Sequence, residues 1–137
     1  MSVVLGYDES EGSQVALRTA LEVARRFGEE LVLVYGAAPP GGVGEEWNAH
    51  RAALREMGRT ALDHAMATAA EAGITARVEI VDAKPAEALI AVGDAENATC
   101  IVVGISGESP LRGAMMGSTP HKLLQLSTRP VLCVPIQ

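Results

Sequence analysis

The stretch 99-TCIVVGISGESPLRGAMMGSTP-120 passes from an apolar run into a glycine-dense segment and closes on Gly-Ser-Thr-Pro, a pattern that opens a helix. The apolar run predicts a strand over 100–104, buried on both faces of a sheet. Four of the fourteen glycines in the 137-residue chain lie between Gly104 and Thr119. Strand, loop and helix in succession make one unit of an α/β repeat. Whether the chain repeats that unit decides the fold.

Working outward, it does. SVVLGYD (2–8) is a short apolar run, and 9-ESEGS-13 supplies N-cap residues. Leu17, Ala20, Leu21, Ala24 and Phe27 then recur at helical spacing, with Gly28 as the stop. ELVLVYG (30–36) is a second strand, followed by the loop 37-AAPPGGVGEEW-47. From about Asn48 to Ala72 a helix turns Leu54, Met57, Ala61, Leu62, Ala65 and Ala69 to one side and ends at Gly73. ITARVEIVD (74–82) alternates, as a less buried edge strand does. Pro85 suits the first turn of a third helix, with Ala88, Leu89 and Val92 inward. A last helix lies within 118–128, and PVLCVPI (130–136) is the fifth strand.

Strict alternation of five strands and four helices predicts one α/β domain over 1–137, with a parallel sheet and helices on both faces. Right-handed crossovers that cover both faces require the strand order to reverse. Order 3-2-1-4-5 does so between strands 1 and 4, where ligands bind outside the carboxyl ends of the strands. Asp8 and Gly104 end those two strands.

Composition narrows the function classes. A formal charge of −6 argues against nucleic acid as a partner. No apolar run approaches the ~20 residues of a membrane span, and MSVVLGYDES lacks the basic start of a signal peptide. The expected location is the cytoplasm, with Cys100 and Cys133 as buried free thiols.

The glycine-dense segment has two readings. Helix N-termini present unpaired N–H groups and favour anions. Gly104, Gly107 and Gly117 would let a phosphate approach the backbone, with hydroxyls from Ser118 and Thr119. Neither GxxxxGK[ST] nor GxGxxG occurs, and Arg112 and Lys122 are the only strong cations nearby. On local chemistry alone an anion cradle and an ordinary turning loop fit equally well. Asp8 likewise fits either a turn residue or an acceptor for an adenine amino group or ribose hydroxyl.

The spacing Gly104, two residues, Gly107, nine residues, Gly117-Ser118 resembles the nucleotide-binding pattern of the universal stress protein family. Asp8, Ser10, Ala16-Leu17, Pro85, Pro130-Val131 and Val134-Pro135 agree with it, so the resemblance spans essentially the whole chain. It implies a Rossmann-like domain that binds ATP or a related adenine nucleotide (AMP, ADP or cyclic AMP), with Mg²⁺ as a possible companion. Asp8 with the backbone of Gly36 or Ala37 would hold the adenine. Gly104, Gly107, Gly117, Ser118 and Thr119 would hold the ribose and phosphates. It further implies a homodimer through 130–136, which would also cover an edge strand. Glu9 departs from the glycine common in the family after the strand-1 Asp, and would crowd the crevice or repel a triphosphate. Tyr35-Gly36 stands in place of the usual His-Val.

Function follows as an expectation. A regulatory nucleotide binder in the stress response is favoured over an enzyme, because Asp8, Glu9, Asp82 and Glu108 are the only obvious metal-ligand candidates and His121 reads as a solvated helix residue. The alternatives are a slow ATPase or phosphotransferase, a cyclic-AMP binder, and a nucleotide-free module whose loop is only structural. Met115, Met116 and Trp47 read as loop-covering or loop-anchoring residues.

Overall fold

The computed structural model describes residues 1–39, 44–105 and 117–136. Strands and helices alternate through them: β1 (Ser2–Gly6), α1 (Glu11–Phe27), β2 (Glu30–Gly36), α2 (Glu45–Glu71), β3 (Ala76–Val81), α3 (Pro85–Ala95), β4 (Cys100–Gly104), α4 (Ser118–Leu126) and β5 (Val131–Val134). All pairings are parallel, in the order β3-β2-β1-β4-β5. The expected Rossmann-like α/β sheet is therefore the observed one.

Successive strand side chains point to opposite faces, so the sheet divides the core in two. Val3, Leu5 and Tyr7 of the β1 segment join Leu17, Leu21 and Leu62 on the side of α1 and α2. Val4 and Val32 join Leu89, Ile101 and Leu123 on the side of α3 and α4. Alanines 16, 20, 24, 61, 65 and 69 form much of the helical contact face, and their small size lets α1 and α2 lie close to the sheet. The ends are capped as their sequences direct. Ser10 Oγ accepts the Ser13 N–H, Gly28 closes α1 in the left-handed region at φ 65°, and Pro85 opens α3.

Some expectations shift. Phe27 is 58% exposed, because a 17-residue helix of about 25 Å outruns the five-residue strand before it. Met57 is exposed as well, and Gly58 takes its place on the buried face of α2. A Cβ on Gly58 would lie 2.5 Å from the Tyr35 ring, so that ring packs flat on the helix where only glycine fits. Trp47 belongs to the first turn of α2 instead of the loop, with the Arg51 guanidinium 5.7 Å from its ring centroid. The two thiols are half-buried, on opposite sides of the sheet, and burial pushes both pKa values up. Met115, Met116, Arg112 and Glu108 lie outside the described residues.

Candidate functional site

From β1 the chain crosses to one face of the sheet through α1, and from β4 to the other through α4. The two neighbouring strands part at their carboxyl ends, and a crevice of about 350 Å³ opens between them. Val34, Leu89 and Val103 give it an apolar floor. Asp8, Ser10 and Ser13 line one side, with Gly36, Gly104 and the segment 117–120 around the rest.

The glycines at the strand ends answer first to the frame. A Cβ on Gly104 would lie 2.6 Å from the carbonyl oxygen of Gly12 and 2.7 Å from its carbon, where the first turn of α1 crosses β4. On Gly36 it would lie 2.7 Å from the Ala83 oxygen and 2.8 Å from the Pro85 backbone. Packing therefore demands both glycines, and the absence of side chains keeps the crevice open beside them. Ala37 is fully buried and does not line the crevice, and its N–H donates to Val81 O at 2.8 Å.

Asp8 sits in a preset turn. Its Oδ1 accepts the Ser10 N–H at 3.0 Å, and its own N–H donates to Ser13 Oγ at 3.3 Å. Ser13 Oγ also donates to the Ser10 carbonyl, so two nearly buried serines lock the turn. Among the described residues Oδ2 makes no hydrogen bond, so this crevice-lining carboxylate keeps an oxygen with unused accepting capacity. Ser10 had shown itself as a cap and a family match; Ser13 as a crevice residue had not. Its only signal was its place one turn along from Asp8.

Glu9 does not line the crevice. It occupies the left-handed region at φ 69°, a conformation that costs a non-glycine residue of the order of 1 kcal/mol. Its carboxylate is turned away, accepting from the Tyr7 hydroxyl at 2.5 Å and meeting His64 Nδ1 of α2. Its carbonyl accepts from Gln14 Nε2 at 2.9 Å. The expectation that Glu9 crowds the site gives way to a clasp that ties the Asp8 turn to α2. Partial burial raises the Glu9 pKa, but hydrogen bonds from Tyr7 and His64 outweigh it and hold the carboxyl below the usual glutamate range. A depressed carboxyl pKa stabilises the fold above its unfolded value and loses that effect as pH falls through the lowered one. Burial first, then the Glu9 carboxylate, pushes the Tyr7 hydroxyl up, so it remains the donor.

At the opposite wall, Gly117 caps α4 in extended backbone, and its N–H donates to Ile105 O at 2.8 Å. Gly117 thus shapes the wall through the space it leaves. Ser118 and Thr119 follow in the first turn, where N–H groups lack partners within the helix. Gly107 lies outside the described residues. His121 is exposed on α4 and does not line the crevice.

Comparison with known proteins agrees with this architecture. The profile of the universal stress protein family matches residues 1–135. Universal stress protein MJ0531 of Methanocaldococcus jannaschii is 27% identical over 136 residues, covering 96% of this chain and 80% of that protein. A family protein of Burkholderia pseudomallei, known as a crystal structure, is 29% identical with a TM-score of 0.77, covering 98% of this chain and 96% of the other. A universal stress protein solved in complex with cAMP is 28% identical with a TM-score of 0.68, over 98% and 95% of the two chains. The matched span contains every strand and helix that builds the crevice, and on that ground the chain belongs to the universal stress protein family.

Proposed function

We propose that this protein binds an adenine nucleotide in the crevice between β1 and β4 and acts in stress regulation through its bound state, not through turnover. The observation that carries the reading is the pairing of opposite walls: Asp8, with Oδ2 unengaged among the described residues, faces the same space as the first turn of α4. A carboxylate suits the amino group of adenine, and the helix start suits phosphate. Asp8 takes the amino group with the Gly36 and Ala37 backbone beside the base, and Ser118 and Thr119 take the phosphate. Gly104 and Gly117 give the ribose and phosphate their clearance, and Gly107 keeps the role that the family resemblance gives it. A relative of 28% identity solved with cAMP supports the ligand class. Mg²⁺ would accompany a polyphosphate ligand.

The same reading makes the protein a cytoplasmic homodimer. Among the described residues no helix is long and apolar enough to cross a membrane. Leu132 on the edge strand β5 is 39% exposed. A second copy pairing along that edge would cover it.

Calorimetric titration tests the nucleotide reading. AMP should bind with a dissociation constant below about 1 mM, and GMP about tenfold or more weakly, because guanine opposes a carbonyl oxygen to Asp8. Equal affinities for the two bases, or no binding by either, would remove the proposal.

A further inference from the structure

Among the described residues only Glu9 and Asn97 hold a positive φ without being glycine. Asparagine accepts the left-handed region readily, because its short amide can bond to the local backbone. Glutamate has a longer side chain and gains nothing of that kind. Glu9 therefore stays at φ 69° only because its surroundings hold it there. Glycine would take the same backbone without steric cost. The Glu9 side chain must supply something that glycine cannot.

It is held from three parts of the chain. The Tyr7 hydroxyl, at the end of the β1 segment, donates to Oε2 at 2.5 Å. His64 Nδ1, on α2, meets Oε1. Gln14 Nε2, on α1, donates to the Glu9 carbonyl at 2.9 Å. Tyr7 is buried in the core and serves as a fixed post. The His64 side chain is 64% exposed, so little packing competes with Glu9 for its position. Both side-chain contacts need the carboxylate, and a glycine at position 9 would have neither.

Glu9 is also the middle residue of the Asp8 turn. Asp8 Oδ1 accepts the Ser10 N–H at 3.0 Å across it, so the Glu9 dihedrals set where the Asp8 carboxylate stands against the start of α1. We propose that His64 is a positioning residue for nucleotide recognition: through the Glu9 carboxylate it holds the strained turn in the form that presents Asp8 to the base. This rests on Asp8 being a nucleotide contact. His64 does not line the crevice, so it acts on a ligand only through Glu9. Without it the turn divides its time between the strained form and a relaxed one, and apparent affinity falls with the competent fraction. Strain at one residue, opposed by one exposed contact, sets that loss at about three- to fivefold.

The test is a double-mutant cycle on the full chain, read by calorimetric titration with AMP at neutral pH. It compares wild type, His64→Ala, Glu9→Gly and the two substitutions together, with circular dichroism verifying that each is folded. His64→Ala should weaken AMP about three- to fivefold. Glu9→Gly removes the clasp and the strain at once, so AMP should bind within about twofold of wild type. In that glycine background His64→Ala should have no further effect, a result that a merely structural role in α2 would not produce. Unchanged affinity in His64→Ala, or an equal loss in both backgrounds, overturns this inference and leaves the adenine-nucleotide reading standing. Failure of AMP to bind wild type overturns both.

Discussion

Gly104→Val is expected to cost about 3 kcal/mol of stability or more, enough to unfold a marginal domain. The new Cβ would meet the Gly12 oxygen at 2.6 Å and its carbonyl carbon at 2.7 Å. These are backbone atoms, and no rotamer change can move them aside. Relief requires the first turn of α1 to lift from β4. That turn is held by the Ser10 cap and by Ala16, Leu17 and Ala20 one to two turns along, all nearly or fully buried. Gly28→Ala provides the contrast. At φ 65° its added methyl meets nothing within 4 Å, so only backbone strain of about 1 kcal/mol applies. Urea denaturation followed by circular dichroism reads both. Similar midpoints for the two variants would mean that α1 does not cross β4 as closely as described.

Asp8→Asn is expected to weaken AMP binding about 10- to 100-fold, matching the 1.5–3 kcal/mol of a hydrogen bond to a charged group. The substitution separates two jobs of one side chain. Asparagine keeps an oxygen to accept the Ser10 N–H, so the turn and the α1 cap persist. Its other terminus then becomes an NH₂ donor facing the amino group of the base, donor against donor. Stability should change little while affinity collapses. Unchanged affinity in a folded variant would show that Asp8 is a turn residue alone.

Much of the fold could be read in the sequence because its signals were local and mutually consistent. The uninterrupted apolar runs of β1, β2 and β4 marked the centre of the sheet, and the alternation of 74–82 marked β3 as an edge. Ser10, Gly28 and Pro85 marked helix ends through their own backbone preferences. With right-handed crossovers, these fixed the strand order.

What escaped the sequence depended on contacts between distant residues. Gly104 read as an opening for a ligand and Gly36 as a backbone contact for the base, yet Gly12 and the Ala83–Pro85 backbone already demand glycine at both. No sequence pattern links residue 12 to residue 104. Glu9 read as an intruder in the crevice, because neither Tyr7 nor His64, 55 positions away, announced itself as its partner.

The central claim is that the crevice between β1 and β4 is an adenine-nucleotide site, and the most direct measurement is a titration of ¹⁵N-labelled protein with AMP followed by amide chemical shifts. Saturable shifts should centre on Asp8, Ser10, Ser13, Gly36, Ala37, Gly104 and residues 117–119, leaving the far ends of the strands near Ser2, Glu30 and Cys100 unmoved. Shifts centred elsewhere, or none at millimolar AMP, would contradict the account.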